Sequence, residues 1–161
     1  MPTYKGHLAG GGVTFLAIHL VTTKLLNQPT PPPNQILFTL EFCLLGSLFP
    51  DIDTKSFGQK IFYYLLTAMI LAAIYTQQWG LLSILSLISV FPLLVNHRGI
   101  IHTIWFVTLA PLAIPLIIQQ NNPLLAKTAW FAYLYFEIGA LSHLFLDYGF
   151  LRTAKKVFSK R

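Results

Sequence analysis

The sequence predicts an all-α polytopic membrane protein, a bundle of about five to six transmembrane helices with both termini cytoplasmic. Three observations lead there. Apolar residues make up 55 % of the 161 residues and Asp, Glu, Lys and Arg only 10 %, where soluble proteins carry ~25 % of those charges. Mean hydropathy is +0.62. The apolar residues fall in continuous runs that do not alternate, which favours helices over strands in a bilayer. A soluble domain of 18.1 kDa needs a charged skin, and sixteen charges cannot make one. The same figures exclude intrinsic disorder. A disulfide scaffold is excluded by the single cysteine, Cys43, inside an apolar run.

Six apolar stretches can be read: Leu8–Leu26, Ile36–Phe49, Ile61–Trp79, Gly80–Val95, Ile104–Ile118 and Thr128–Leu151. A crossing takes about 20 residues at a rise of ~1.5 Å each. The first, third and sixth are long enough. The second, fourth and fifth hold 14 to 16 residues and span only with help from their flanks or from local thinning. Lys5 ahead of the first stretch imitates a signal peptide, but His19 and Lys24 interrupt the run and no small-x-small cleavage site follows, so it is expected to be a retained helix. Four prolines in Asn27–Gln35 enforce an extended link to the second stretch. The break between the third and fourth rests on Gln77, Gln78 and Gly80; without it the two would fuse and the parity of crossings would change. Residues 1–151 are expected to form one membrane-embedded domain and 152–161 a basic cytoplasmic tail.

Six crossings put both termini and the second and fourth loops on one side. That side carries nine basic residues: Lys5, Lys55, Lys60, Arg98, Arg152, Lys155, Lys156, Lys160 and Arg161. The other carries two, Lys24 and Lys127. The positive-inside rule therefore places both termini of this multi-pass chain in the cytoplasm. The net charge of +6 points to anionic lipid headgroups rather than nucleic acid, for which five charges in the tail are too few.

The acidic residues and histidines cluster. His7 opens the first helix, Asp51 and Asp53 follow the second, His97, Arg98 and His102 lie between the fourth and fifth, and His143 and Asp147 end the sixth. All fall on the expected cytoplasmic side. His143 and Asp147, four apart, share a helix face. Asp51 and Asp53, two apart after Pro50, would point the same way in an extended segment. His97 and His102 flank a turn at Gly99. Imidazoles with carboxylates suit zinc first, then manganese or iron, rather than magnesium. The expected metal ligands are His7, Asp51, Asp53, His97, His102, His143 and Asp147. Asp53 and Arg98 are the expected catalytic residues, a general base and a clamp for phosphate oxygen. Ser56 and Thr103 suit helix N-caps, as does Asp53 by itself. Glu41, Glu137 and His19 lie deeper, roughly 15 Å into the bilayer for the two glutamates. Glu137 is about 120° away from His143 around its helix, so an interhelical hydrogen bond suits it as well as function does. Cys43 reads as packing, Gly10–Gly12 as close helix contact, and Trp79, Trp105 and Trp130 as interfacial anchors.

In order, KGHLAGG, GSLFPDIDT, NHRGIIHT and SHLFLDYG resemble the YdjM-like (DUF457) family of small inner-membrane proteins. The matching positions are His7, Asp51, Asp53, His97, Arg98, His102, His143 and Asp147, across nearly the whole chain. The combination of PDID, HRGxxH and HxxxD is specific; each alone is not. The resemblance implies a membrane-associated, metal-dependent hydrolase and a LexA-like partner. From the residues themselves, the expected function is attack of metal-activated water on an ester or phosphoester, lipid-borne if the membrane supplies it. The alternatives are a metal-ion or proton transporter running through Glu41, Glu137 and His19, and a non-enzymatic membrane scaffold.

Overall fold

A computed structural model describes residues 3–95 and 99–158, with residues 149–158 as backbone only. The elements run α1 (Tyr4–Leu20), a π-helical turn (Val21–Leu25), α2 (Pro33–Leu48), a 3-10 turn (Phe49–Asp53), α3 (Phe57–Tyr75), α4 (Trp79–Leu94), a second 3-10 turn (Ile100–His102), α5 (Ile104–Asn121) and α6 (Pro123–Phe158). There is no strand among the described residues. Among the described residues, five helical stretches are long and apolar enough to cross a membrane: Tyr4–Leu25, Pro33–Asp53, Phe57–Tyr75, Ile104–Asn121 and Pro123–Tyr148. Trp79–Leu94 is apolar but shorter.

Helix ends follow local chemistry. The proline run ends where Pro33 takes the first position of α2, its fixed φ suiting a helix start and its missing N–H costing nothing there. Pro123 opens α6 in the same way. Ser56 caps α3 by accepting from the Gln59 amide at 3.1 Å, and Thr103 caps α5 by accepting from the Phe106 amide at 3.3 Å. The break between α3 and α4 is real. Gln77 adopts a positive φ of 56°, and the chain reverses into a hairpin whose helices pack through Leu66, Ala73 and Leu85. Tyr63 ties it further by donating its hydroxyl to the Ser89 carbonyl at 2.9 Å.

Two expectations need correction. Phe49–Asp53 is not extended but a 3-10 turn, because Pro50 ends α2 without reversing the chain. The sixth helix is also much longer than its apolar run. It begins at Pro123 and stays helical to Phe158, past the expected start of the tail.

The centre of the bundle is a close crossing of α2 and α6. A Cβ on Gly46 would strike the Phe136 carbonyl, and one on Gly139 would strike the Cys43 carbonyl. Only hydrogen at these two positions lets the backbones meet. α1 joins the crossing at Gly11, where a Cβ would lie 2.9 Å from Ser47 Cβ. Cys43, fully buried, donates its thiol to the Gly11 carbonyl at 3.5 Å. α5 lies against the other side of α6 through Val107, Ala140 and Leu144. Trp79 and Trp105, at the starts of α4 and α5, are exposed, as interfacial anchors should be.

Gly46→Val and Gly139→Val should each cost about 1–3 kcal/mol or more through overpacking and lower the detergent melting temperature measured by circular dichroism. Gly12→Ala, whose Cβ would meet nothing, should leave it unchanged. A Gly139→Val protein melting like wild type would refute the crossing.

Candidate metal centre

Four-residue steps carry the central crossing up to a cluster of titratable groups. On α6, Gly139 leads to His143 and then Asp147; on α2, Cys43 leads to Ser47 and, into the turn, Asp51; on α1, Gly11 leads back to His7. Residues at this spacing share a helix face, so whatever brings the small residues together brings the polar ones together too. The cap at Thr103 starts α5 and sets His102 directly before it, over the same place.

The result is one cluster at one end of the bundle. His143 sits at its middle, fully buried. Its Nδ1 donates to the Ser47 carbonyl at 2.7 Å, the orientation that a carbonyl acceptor dictates. Nε2 is then the lone-pair nitrogen. It faces Asp51 Oδ1 at 3.6 Å and Asp147 Oδ2 at 3.7 Å and has no hydrogen-bond partner. The His7 ring stacks on the His143 ring with centroids 3.7 Å apart, and His7 Nε2 lies 3.5 Å from Asp147 Oδ1. His102 Nε2 lies 3.7 Å from Asp51 Oδ1 and 4.0 Å from Asp147 Oδ2. Asp53 comes from the other side of the His102 ring, its Oδ2 3.7 Å from Nδ1. The 3-10 turn makes this possible, because it aims the two aspartates at opposite edges of one imidazole.

These separations test the fit to a metal ion. They exceed the 2.7–3.2 Å of good hydrogen bonds. Metal bonds of about 2.0–2.2 Å, at angles between tetrahedral and trigonal, put ligand atoms about 3.3–3.8 Å apart. A buried lone pair facing two carboxylate oxygens is costly unless positive charge lies between them. Among the described residues, two sets of three have ligand atoms close enough to hold an ion, His7–His143–Asp147 and Asp51–His102–His143, with all atoms within 4.8 Å of one another in each. His143 belongs to both. The donor set of imidazoles and carboxylates fits a divalent cation.

Of the residues singled out in the sequence, His7, Asp51, Asp53, His102, His143 and Asp147 are brought together. His97 and Arg98 lie outside the described residues. The deeper polar residues are not brought together. Glu137 faces α5 and accepts from the Thr108 hydroxyl at 2.7 Å, as its phase on α6 required. His19 stacks on Phe15 with centroids 6.1 Å apart, and Glu41 is exposed on α2. Ser47 is the residue that sequence reading missed. Its contribution is a backbone carbonyl, which any residue type supplies; only its place four before Asp51 hinted at it.

Fold and cluster together define a helical membrane protein with a buried histidine–aspartate site fit for a divalent cation. The sequence matches the model of the YdjM inner membrane protein family over residues 1–152, and the chain belongs to that family. No curated protein and no solved structure matches it significantly.

Glu137→Gln keeps an acceptor for Thr108 and should be tolerated. Glu137→Leu should cost about 0.6–1.7 kcal/mol, the usual worth of an interhelical hydrogen bond in a membrane. Neither should change metal content by elemental analysis. Metal lost from Glu137→Gln would place this carboxyl in the site.

Proposed function

We propose that this protein is a multi-pass inner-membrane metal-dependent hydrolase acting on an ester or phosphoester at the cytoplasmic face. The observation that carries the reading is His143 Nε2: buried, held as a lone pair by the Ser47 carbonyl, and facing two carboxylates at metal-ligand spacing. His7, Asp51, His102, His143 and Asp147 would hold the ion. A bound divalent cation would supply a water whose pKa falls towards ~7, a nucleophile at neutral pH.

The chain's own groups have separate tasks in this reading. Asp53, buried behind His102, fixes that ring and raises its basicity as a carboxylate partner does. It is thus a positioning residue rather than the general base expected from sequence. Asp51 has a side chain 19 % exposed, where those of the other five are 0–3 % exposed. It is therefore where water and substrate reach the cluster, and its carboxylate is placed to take the proton from the attacking water. Arg98 keeps its proposed role as a clamp for phosphate oxygen. Lys5, Lys55 and Lys60 are exposed near the ends of the elements that carry the cluster, and the positive-inside rule puts that end, with both termini, in the cytoplasm.

Purified protein should carry stoichiometric divalent metal and hydrolyse a chromogenic phosphodiester. His143→Ala and Asp147→Asn should lose both properties. Asp53→Asn should bind metal about 10–100-fold more weakly, the usual effect of losing a carboxylate behind a histidine ligand. Full metal content in His143→Ala and Asp51→Asn would end the shared-site reading. Membrane-impermeant thiol reagents should label single cysteines placed near either terminus only from the cytoplasmic side of oriented vesicles; labelling of the two from opposite sides would overturn the topology.

A further inference from the structure

We infer that the cluster holds two divalent cations rather than one, bridged by the Asp147 carboxylate, with His7 a ligand to the second. This deepens the metal-dependent reading above and rests on it for the presence of metal. The observation that carries it is the way the three imidazole rings are turned. A ring nitrogen offers its lone pair in the plane of the ring, so an ion bound there lies in or close to that plane. His102 and His143 stand edge to face, their planes 67° apart and their centroids separated by 5.8 Å. The planes cross. Both Nε2 atoms also face the same two oxygens, Asp51 Oδ1 and Asp147 Oδ2, at separations from 3.6 to 4.0 Å. One ion can therefore lie in both planes and take all four atoms, a complete tetrahedral set.

His7 cannot share that ion with His143. Its ring lies on the His143 ring, centroids 3.7 Å apart and planes only 14° apart. Planes so nearly parallel, and a ring's thickness apart, do not meet within the length of a metal bond. Distance alone admits His7, His143 and Asp147 to one ion; ring direction does not. His143 is already committed, because Nδ1 is bonded to the Ser47 carbonyl and Nε2 is its one remaining nitrogen. His7 Nε2 faces instead the other oxygen of Asp147, Oδ1, at 3.5 Å. That oxygen is buried and accepts no hydrogen bond. A sealed carboxylate oxygen without a donor is costly unless a cation lies against it.

Asp147 thus presents one oxygen to each ion, Oδ2 to the ion of His102 and His143, and Oδ1 to the ion of His7. The two ions differ in what they join. The first ties both 3-10 turns to α6 and has four protein donors. The second ties α1 to α6 and has two, so its remaining positions are open to water and substrate, as a catalytic ion requires.

The test starts from detergent-purified protein stripped by a chelator and reloaded with Mn2+. Bound ions are counted by elemental analysis after desalting, and low-temperature electron paramagnetic resonance reads whether they are close. Wild type should hold two Mn2+ per chain and give the multiline spectrum of a spin-coupled pair. His7→Phe keeps a ring to stack on His143 and removes the nitrogens. It should melt close to wild type by circular dichroism, hold one Mn2+ and show the spectrum of an isolated ion. Asp147→Asn should lose the coupling. One Mn2+ per chain in wild type, two without coupling, or two retained by His7→Phe would each overturn the bridged pair. A wild type with one ion leaves the metal centre standing without the pair; a wild type that binds no Mn2+ ends the metal reading and the pair together.

Discussion

Everything in this protein depends on how closely α1, α2 and α6 approach one another. In a bilayer there is no hydrophobic gain from pressing two apolar helices together, because lipid tails are as apolar as side chains. What holds helices is fit, and fit at this crossing comes from the absence of side chains. Gly46 and Gly139 let α2 and α6 meet backbone to backbone, and Gly11 with Cys43 and Ser47 brings in α1. Because helical neighbours recur every four residues, the same contact that seats Gly139 seats His143 one turn on and Asp147 after it. The cluster is a continuation of the packing rather than an addition to it.

The closeness has an electrostatic consequence. Three imidazoles and three carboxylates are gathered together, all but Asp51 almost fully buried. His143 is held by a backbone carbonyl, which has no rotamer and cannot swing away, so the direction of its other ring nitrogen is fixed. His7 gains its place by stacking on that ring, and His102 by the cap that begins α5. Such preorganisation limits the reorganisation needed on binding. It also sets a direction: all but one of the six side chains in the cluster are buried, and the remaining one, Asp51, sits on the turn that attaches the hairpin. Access and attachment are thus properties of the same five residues.

Glu137 shows how the membrane treats a polar group that the site does not use. A carboxyl at that depth is expensive to leave alone. It is answered by Thr108 on the neighbouring helix, which also gives α5 and α6 a preferred register. Tyr133 adds a hydroxyl bond to the Thr108 carbonyl at 3.2 Å.

Much of the molecule could be read without coordinates. The apolar runs gave six helices, because in a bilayer every backbone group must bond within its own segment. The four-residue spacing of His143 and Asp147 gave a shared face, since the helix period is fixed. Glu137 could be kept out of the site by phase alone. Sequence could not tell that Asp51 and Asp53 would split around His102, because the conformation after Pro50 is settled by what packs on the turn. Nor could it find Ser47, whose backbone carbonyl carries no side-chain signature. By itself, then, the sequence determined the solvent, the helices and which residues are able to bind an ion. Tertiary structure alone decided that they meet, in what order around His143, and from which side they are reached. The reason is that separations between remote segments are set by interhelical contact, and contact distance depends on the small residues of three helices acting at once.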